Sequence, residues 1–291
     1  MRTILLLTVS VFLSCSKSLL YRSVSDMTEN RRGFWLVNTL SFGCACAIQL
    51  FITVLCGGVR FSPFTVSLSL LFALFTLSSQ YFYINAQKSG AVSLNTFVYS
   101  CGFVLPVLYG ILVLGEPFVP RQGIGILILS AAVYLYLLPG RTNAFSLSHL
   151  IFIVTASFSS GMLGILQKIQ RSRGEETEQN SFLLLTFLLC MAVSAVLWRL
   201  HRPREQARAP IRLPDGRMLA QTIAIGGVLG FANLINLFLA GKLPGAVFFP
   251  VLNGSVTLLS GIGAYLFFRE KIGPRQILAL GIGLFAVVLI S

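Results

Sequence analysis

The sequence predicts an all-α integral membrane protein of ten transmembrane helices arranged as two inverted five-helix repeats, and three observations lead there. Hydrophobic residues make up 55% of the chain and charged residues 11%, against about 25% charged in an ordinary soluble domain. Apolar runs of 17 to 24 residues recur along its length. Each is long enough to cross a hydrocarbon core of roughly 30 Å as a helix rising about 1.5 Å per residue. The third observation is internal duplication, since the second half of the chain repeats the first.

The spans fall at residues 2–21, 34–56, 64–87, 91–114, 121–138, 146–168, 181–200, 217–240, 245–268 and 275–291. They are helices because backbone groups in lipid find no partner outside their own segment. The fourth and ninth spans open on the same triplet, Gly90-Ala91-Val92 and Gly245-Ala246-Val247. Each leads to a Glu, at 116 and 270, and four residues later Pro-Arg-Gln (120–122 and 274–276) starts the next helix. The Glu spacing is 270 − 116 = 154 and the Gly-Ala-Val spacing is 245 − 90 = 155, so the copies align with a one-residue slip. The repeats are expected at 1–141 and 142–291. Five crossings per repeat force the second copy to enter the membrane from the opposite side, an arrangement associated with transport.

Residues 1–20 are read as a retained helix, although Phe12-Leu13-Ser14-Cys15 distantly resembles a lipoprotein cleavage box, because removal would break the five-plus-five symmetry. Gly161 with Gly164, Gly226 with Gly230, and Gly281 with Gly283 are expected to let helices approach closely. None follows a strand, so no phosphate-binding loop is predicted.

The net charge of +13 is topological in this reading, since basic residues collect between the spans. Odd-numbered connections carry fourteen Lys and Arg, the amino terminus and even-numbered connections carry seven, and Lys17 lies inside the first span. That count places both termini outside the cytoplasm. The stretch Arg199 to Arg217, with three prolines, reads as a headgroup-facing loop. No nucleic-acid module accompanies it. The six cysteines lie within spans and the two histidines at or beyond helix ends, so neither a disulfide framework nor a metal site is expected.

Leu114-Gly115-Glu116 followed by Pro120-Arg121-Gln122, echoed by Phe268-Arg269-Glu270 and Pro274-Arg275-Gln276, resembles the EamA-type transporters of the drug/metabolite transporter superfamily. The resemblance implies a ten-helix secondary transporter with no cofactor, no ATP, no enzymatic activity and a small-molecule substrate. It also implies cytoplasmic termini, against the charge count. Related small multidrug resistance proteins carry a carboxylate in their first helix for proton exchange, whereas the first and sixth spans here contain no Asp or Glu.

Ionisable groups in mid-membrane cost roughly 2.5–3.5 kcal/mol and mark function by default. The nine acids, Asp26, Glu29, Glu116, Glu175, Glu176, Glu178, Glu205, Asp215 and Glu270, all fall in connections or at span ends, leaving no carboxylate pair or activated nucleophile for hydrolytic chemistry. Neutral polar groups remain. Asn95 and Tyr99, Asn233 and Asn236, and Gln80 with Tyr83 and Gln87 recur at helical spacing, as do Ser10, Ser14, Lys17 and Tyr21. Asn253 follows Pro250, where a lost backbone hydrogen bond can open a kink.

Such residues either join helices or bind a solute. Asn95, Tyr99, Asn233, Asn236, Asn253 and Gln80 are the candidate substrate-binding set, because the third, fourth, eighth and ninth helices line the cavity in the family resembled. Lys17, Lys88, Lys242, Glu116 and Glu270 are candidate gating or mouth charges. Both Glu residues sit where a helix carboxyl end disfavours an anion, so Arg121 and Arg275 are their expected partners.

The expected activity is alternating-access export or exchange of a small polar metabolite such as an amino acid, in a bacterial-type cytoplasmic membrane, by a monomer or homodimer. A multidrug or hydrophobic-cation exporter, a phosphorylated-sugar or nucleotide-sugar carrier, and a non-transporting scaffold or receptor stay open as alternatives.

Overall fold

A computed structural model describes residues 2–25, 31–89, 92–137, 146–201, 216–269 and 273–290. The described chain is helical: α1 (Arg2–Ser25), α2 (Arg31–Leu55), α3 (Pro63–Ser89), α4 (Val92–Ser100), α5 (Val104–Leu112), α6 (Pro120–Leu137), α7 (Leu147–Arg173), α8 (Gln179–Leu200), α9 (Gly216–Ala240), α10 (Gly245–Phe268) and α11 (Pro274–Ile290). Eight segments are long and apolar enough to cross a membrane, α4 and α5 together forming one of them. The shorter apolar helices α6 and α11 bring the crossings to ten. The expected repeat boundary at 141/142 lies outside the described residues.

The fourth span is interrupted, a feature the apolar pattern did not disclose. A 3₁₀ turn at Cys101–Phe103 separates α4 from α5, just ahead of Pro106, whose missing N–H weakens the helix there. Close packing fixes this turn. A Cβ on Gly102 would stand 2.2 Å from the Ser157 carbonyl oxygen, and one on Gly161 would stand 2.5 Å from the Gly102 carbonyl oxygen. The backbones of α7 and this turn therefore touch where both helices lack a side chain. Gly226 on α9 meets α2 in the same way. At Gly281 nothing lies within reach of an added Cβ, so that glycine does not serve the close packing expected of it.

The packing repeats when the first five spans are exchanged for the second five. α1 packs on α9 as α7 packs on α3, α2 packs on α9 as α8 packs on α3, and α1 meets α10 as α7 meets α4 and α5. Three contacts map onto themselves, α2 with α8, α4–α5 with α10, and α6 with α11. Helices of the two halves interleave, so α1 touches α3 and α4 of its own repeat and α9 and α10 of the other. Buried aromatic residues such as Phe42, Phe72, Phe182 and Phe187 fill the space between α2, α3 and α8. Apolar side chains also cover the outer surface, including Phe51, Leu74, Phe158 and Phe267, as a lipid-facing wall requires.

The residue just before the repeated Glu takes the same backbone conformation in both copies despite its different identity. Gly115 and Arg269 each precede the repeated Glu, and both are left-handed, with φ of +65° and +54°. Arg269 caps α10 in that conformation, at a cost of roughly 1–2 kcal/mol for a residue bearing a Cβ. Arg269→Gly should therefore raise the melting temperature of the detergent-purified protein, and Gly161→Leu should lower it by forcing α7 off the 3₁₀ turn, an overpacking cost of about 1–3 kcal/mol.

Candidate functional site

The polar side chains collect in two places, one within the bundle and one at the end where α7 finishes. On α1, Ser10 and Lys17 lie seven residues apart and share one face. The Ser10 hydroxyl donates to Asn236 Oδ1 on α9. Lys17, half-buried, holds its ammonium 5.8 Å from the centroid of the Tyr99 ring on α4, within cation–π range. Tyr99 in turn shares a 2.9 Å hydroxyl contact with Ser79 on α3, and its ring lies 4.5 Å from that of Tyr83. Tyr83 is completed by Thr96, 2.9 Å away, and by Tyr21 of α1 at 6.0 Å between ring centroids. Lys17 thus faces an aromatic wall where α1 meets both repeats.

The other expected binding residues lie near this wall or inside the packing. Gln80 donates to Asn38 Oδ1 at 2.6 Å, while its own carbonyl oxygen is buried without a partner among the described residues. Asn95 is fully buried and donates to the Ala86 carbonyl at 2.9 Å and to Gln87 Oε1 at 3.2 Å, so it closes the corner between α3 and α4. Asn233 and Asn253 donate to carbonyls one turn back, Leu229 and Phe249. α10 continues through Pro250. The Thr257 hydroxyl donates to the Asn253 carbonyl and lies 2.9 Å from Ser100 Oγ of α4, tying together the two helices that open on Gly-Ala-Val.

Glu116 has a different partner from the one its neighbours imply. Its carboxylate pairs with Lys168 on α7 and accepts the Gly245 N–H, 2.6 Å away, at the start of α10. Arg121 is exposed. The expected helix-dipole conflict disappears because α5 has already ended at Leu112, and the carboxylate sits at the amino end of α10, where the dipole favours an anion. Lys168 also donates to the Leu243 carbonyl at 3.1 Å. Its side chain is 4% exposed and that of Glu116 17%, so this is a shielded pair joining the turn after α5 in the first repeat to α7 and α10 of the second.

Sequence reasoning placed Lys168 at the edge of the sixth span. α7 continues to Arg173, which puts the lysine a full turn inside. A usable signal was present, since Gly161, Gly164 and Lys168 follow one another at three and four residues and so share one face of α7. At the other end of the bundle, Arg22 of α1 donates to the Gln87 carbonyl, three residues before Gly90, much as Lys168 reaches Leu243 two residues before Gly245. Glu270 lies outside the described residues.

Glu178 is a second buried carboxylate that the sequence placed in a loop. It accepts hydrogen bonds from Ser62, at 2.6 Å, and from Thr65, and so puts an anion at the amino end of α3. Of the remaining expected charges, Lys88 donates to Asn85 Oδ1 at 3.1 Å, and Lys242 is exposed, with its ammonium 5.9 Å from the Phe238 ring centroid.

A small apolar cavity of about 20 Å³ opens between α4, α6, α10 and α11, lined by Phe97, Cys101, Phe103, Leu129, Leu258 and Leu284 among others. Among the described residues no group of three His, Cys, Asp or Glu side chains is placed to hold a metal.

Residues 147–291 match the model of the EamA-like transporter family. A solved structure described only as "Crystal structure of protein" is similar in fold, with a TM-score of 0.68 over 97% of each chain at 17% identity. No curated protein matches the chain by sequence.

Breaking a shielded ion pair leaves one charge uncompensated and costs about 3 kcal/mol, whereas removing both charges costs much less. Glu116→Gln and Lys168→Met should each lower thermal stability clearly, and the double variant should recover most of the loss in a double-mutant cycle of detergent melts.

Proposed function

Residues 147–291 place this chain among the EamA-type transporters of the drug/metabolite transporter superfamily, and from that premise we propose that it exchanges or exports a small polar metabolite by alternating access. The observation that carries the reading is the meeting of polar side chains from both repeats along α1. Lys17, Tyr99 and Ser79 come from the first repeat and Asn236 from the second, at the kind of repeat interface where such transporters hold their solutes. Asn233, Asn253 and Gln80 complete the proposed polar lining.

The Glu116–Lys168 pair acts in this reading as the clasp at one end of the pathway. With the pair closed, the ends of α5 and α7 and the start of α10 are held together. Opening that end requires the carboxylate and ammonium to part, and the duplication gives Glu270 the corresponding position in the second repeat. Lys88 and Lys242 are mouth charges. The described spans offer no mid-membrane carboxylate for proton coupling, so exchange or facilitated diffusion is the simplest energetics, in a bacterial-type cytoplasmic membrane.

A second reading, in which the solute is hydrophobic, draws on the apolar lining of the small cavity beside α4 and α10, which would have to widen to admit a solute. Competition separates the two.

Counterflow into proteoliposomes preloaded with a pooled metabolite library tests the proposal without assuming an energy source. Saturable uptake of a polar compound is expected, with a severalfold higher KM in Asn236→Ala. Inhibition by hydrophobic cations alone would transfer the assignment to the second reading. Deleting 202–215 should leave exchange intact; a scaffold that acts through this loop would lose its activity instead.

A further inference from the structure

We propose that Lys17 is the receptor for a single carboxylate of the transported solute, an inference that rests on the transport reading and names its substrate class. The cation is out of place for an anchor. It lies eight residues before the end of α1, about 12 Å along the helix axis, and its ammonium rests against the ring of Tyr99 rather than following the helix toward the headgroups. Among the described residues no carboxylate pairs with it. Glu116 is taken by Lys168, Glu178 by Ser62 and Thr65, and Glu176 faces Arg171. These acids gather at the end of the bundle where α7 finishes, the opposite end from the one α1 approaches beyond Lys17.

A half-buried ammonium that meets only a ring face among the described residues keeps unused hydrogen-bonding capacity, since Lys carries three donors and a ring satisfies none of them as an anion would. One positive charge with no resident anion among the described residues is balanced by one negative charge. That favours a monocarboxylate over a phosphomonoester, whose second charge would be left uncompensated in a low-dielectric site. The aromatic groups beside it, Tyr21, Tyr83 and Tyr99, offer flat apolar surface and, through the hydroxyl of Tyr99, a hydrogen-bonding partner for the rest of the solute. The position at the junction of α1, α3 and α4 with α9 and α10 puts the carboxylate where relative movement of the repeats would carry it from one side to the other.

The test pairs binding with transport on the full-length protein. Thermal stabilisation in detergent is titrated with a panel of aliphatic, aromatic and amino-acid carboxylates, their matched amides, and phenyl phosphate. Counterflow is measured with the same labelled carboxylates. At least one carboxylate should stabilise the wild type and Lys17→Arg while its amide does not, and Lys17→Gln should weaken that binding by about tenfold or more, with counterflow KM rising in step and Tyr99→Phe changing it less. Equal carboxylate affinity in wild type and Lys17→Gln, carboxylate and amide binding alike, or tighter binding of phenyl phosphate would overturn the proposal. Lys17→Arg reports folding independently. If carboxylates bind through Lys17 but no solute is exchanged by the wild type, the transport reading fails while the receptor assignment stands.

Discussion

A charge placed among apolar helices is costly unless an opposite charge or strong hydrogen-bonding groups accompany it, and the clasp between Glu116 and Lys168 is how this chain meets that constraint at one end of the bundle. Around it the architecture at one end of the bundle becomes intelligible. The carboxylate needs donors, and the open amino end of α10 supplies one at Gly245. The ammonium needs acceptors, and the carbonyl of Leu243 supplies a second. Four segments that are distant in sequence, the turn after α5, the end of α7, the turn after α9 and the start of α10, are thereby fixed by one pair of side chains. The close backbone contact between Gly161 and Gly102 holds α7 near enough for the lysine to reach.

Much of this was legible in the sequence, and the rest failed for identifiable reasons. Ten apolar runs and the repeated Gly-Ala-Val and Glu-to-Pro-Arg-Gln segments led to the helices and to the exchange symmetry of their contacts. Span length and hydropathy report burial in lipid, but they do not distinguish a helix that runs straight from one that breaks, so the 3₁₀ turn between α4 and α5 stayed hidden. Glu116 was recognised and its partner was not. Local spacing pointed to Arg121 five residues away, whereas the true partner is 52 residues on, and long-range pairing leaves no trace in local periodicity. Lys168 had been assigned to the water interface because apolar composition ended there, although its face was marked by Gly161 and Gly164.

The candidate binding residues show the same division. Asn95 stands at the spacing of a cavity-lining group, yet its donor is spent on the α3 carboxyl end. Asn233 and Asn253 turn back on their own helices, an arrangement that satisfies the amide nitrogen while leaving the amide oxygen for another partner. Lys17 and Tyr99 were unconnected in the sequence pattern, one a mouth charge and the other a polar lining residue. Only folding brings α1 across α4 and makes them a pair. In the proposed reading, Lys168, neutralised at the bundle end, closes the pathway, and Lys17, which no carboxylate among the described residues neutralises, holds the solute.

The central claim, that the clasp opens as the transporter alternates, is tested most directly by the distance between spin labels at Leu112 and Lys242, both exposed and on either side of the clasp, in a protein whose native cysteines have been replaced. Alternation predicts two distance populations in liposomes, with Glu116→Gln shifting weight toward the longer one. A single narrow distance, unchanged by Glu116→Gln and by every solute that binds, would contradict it.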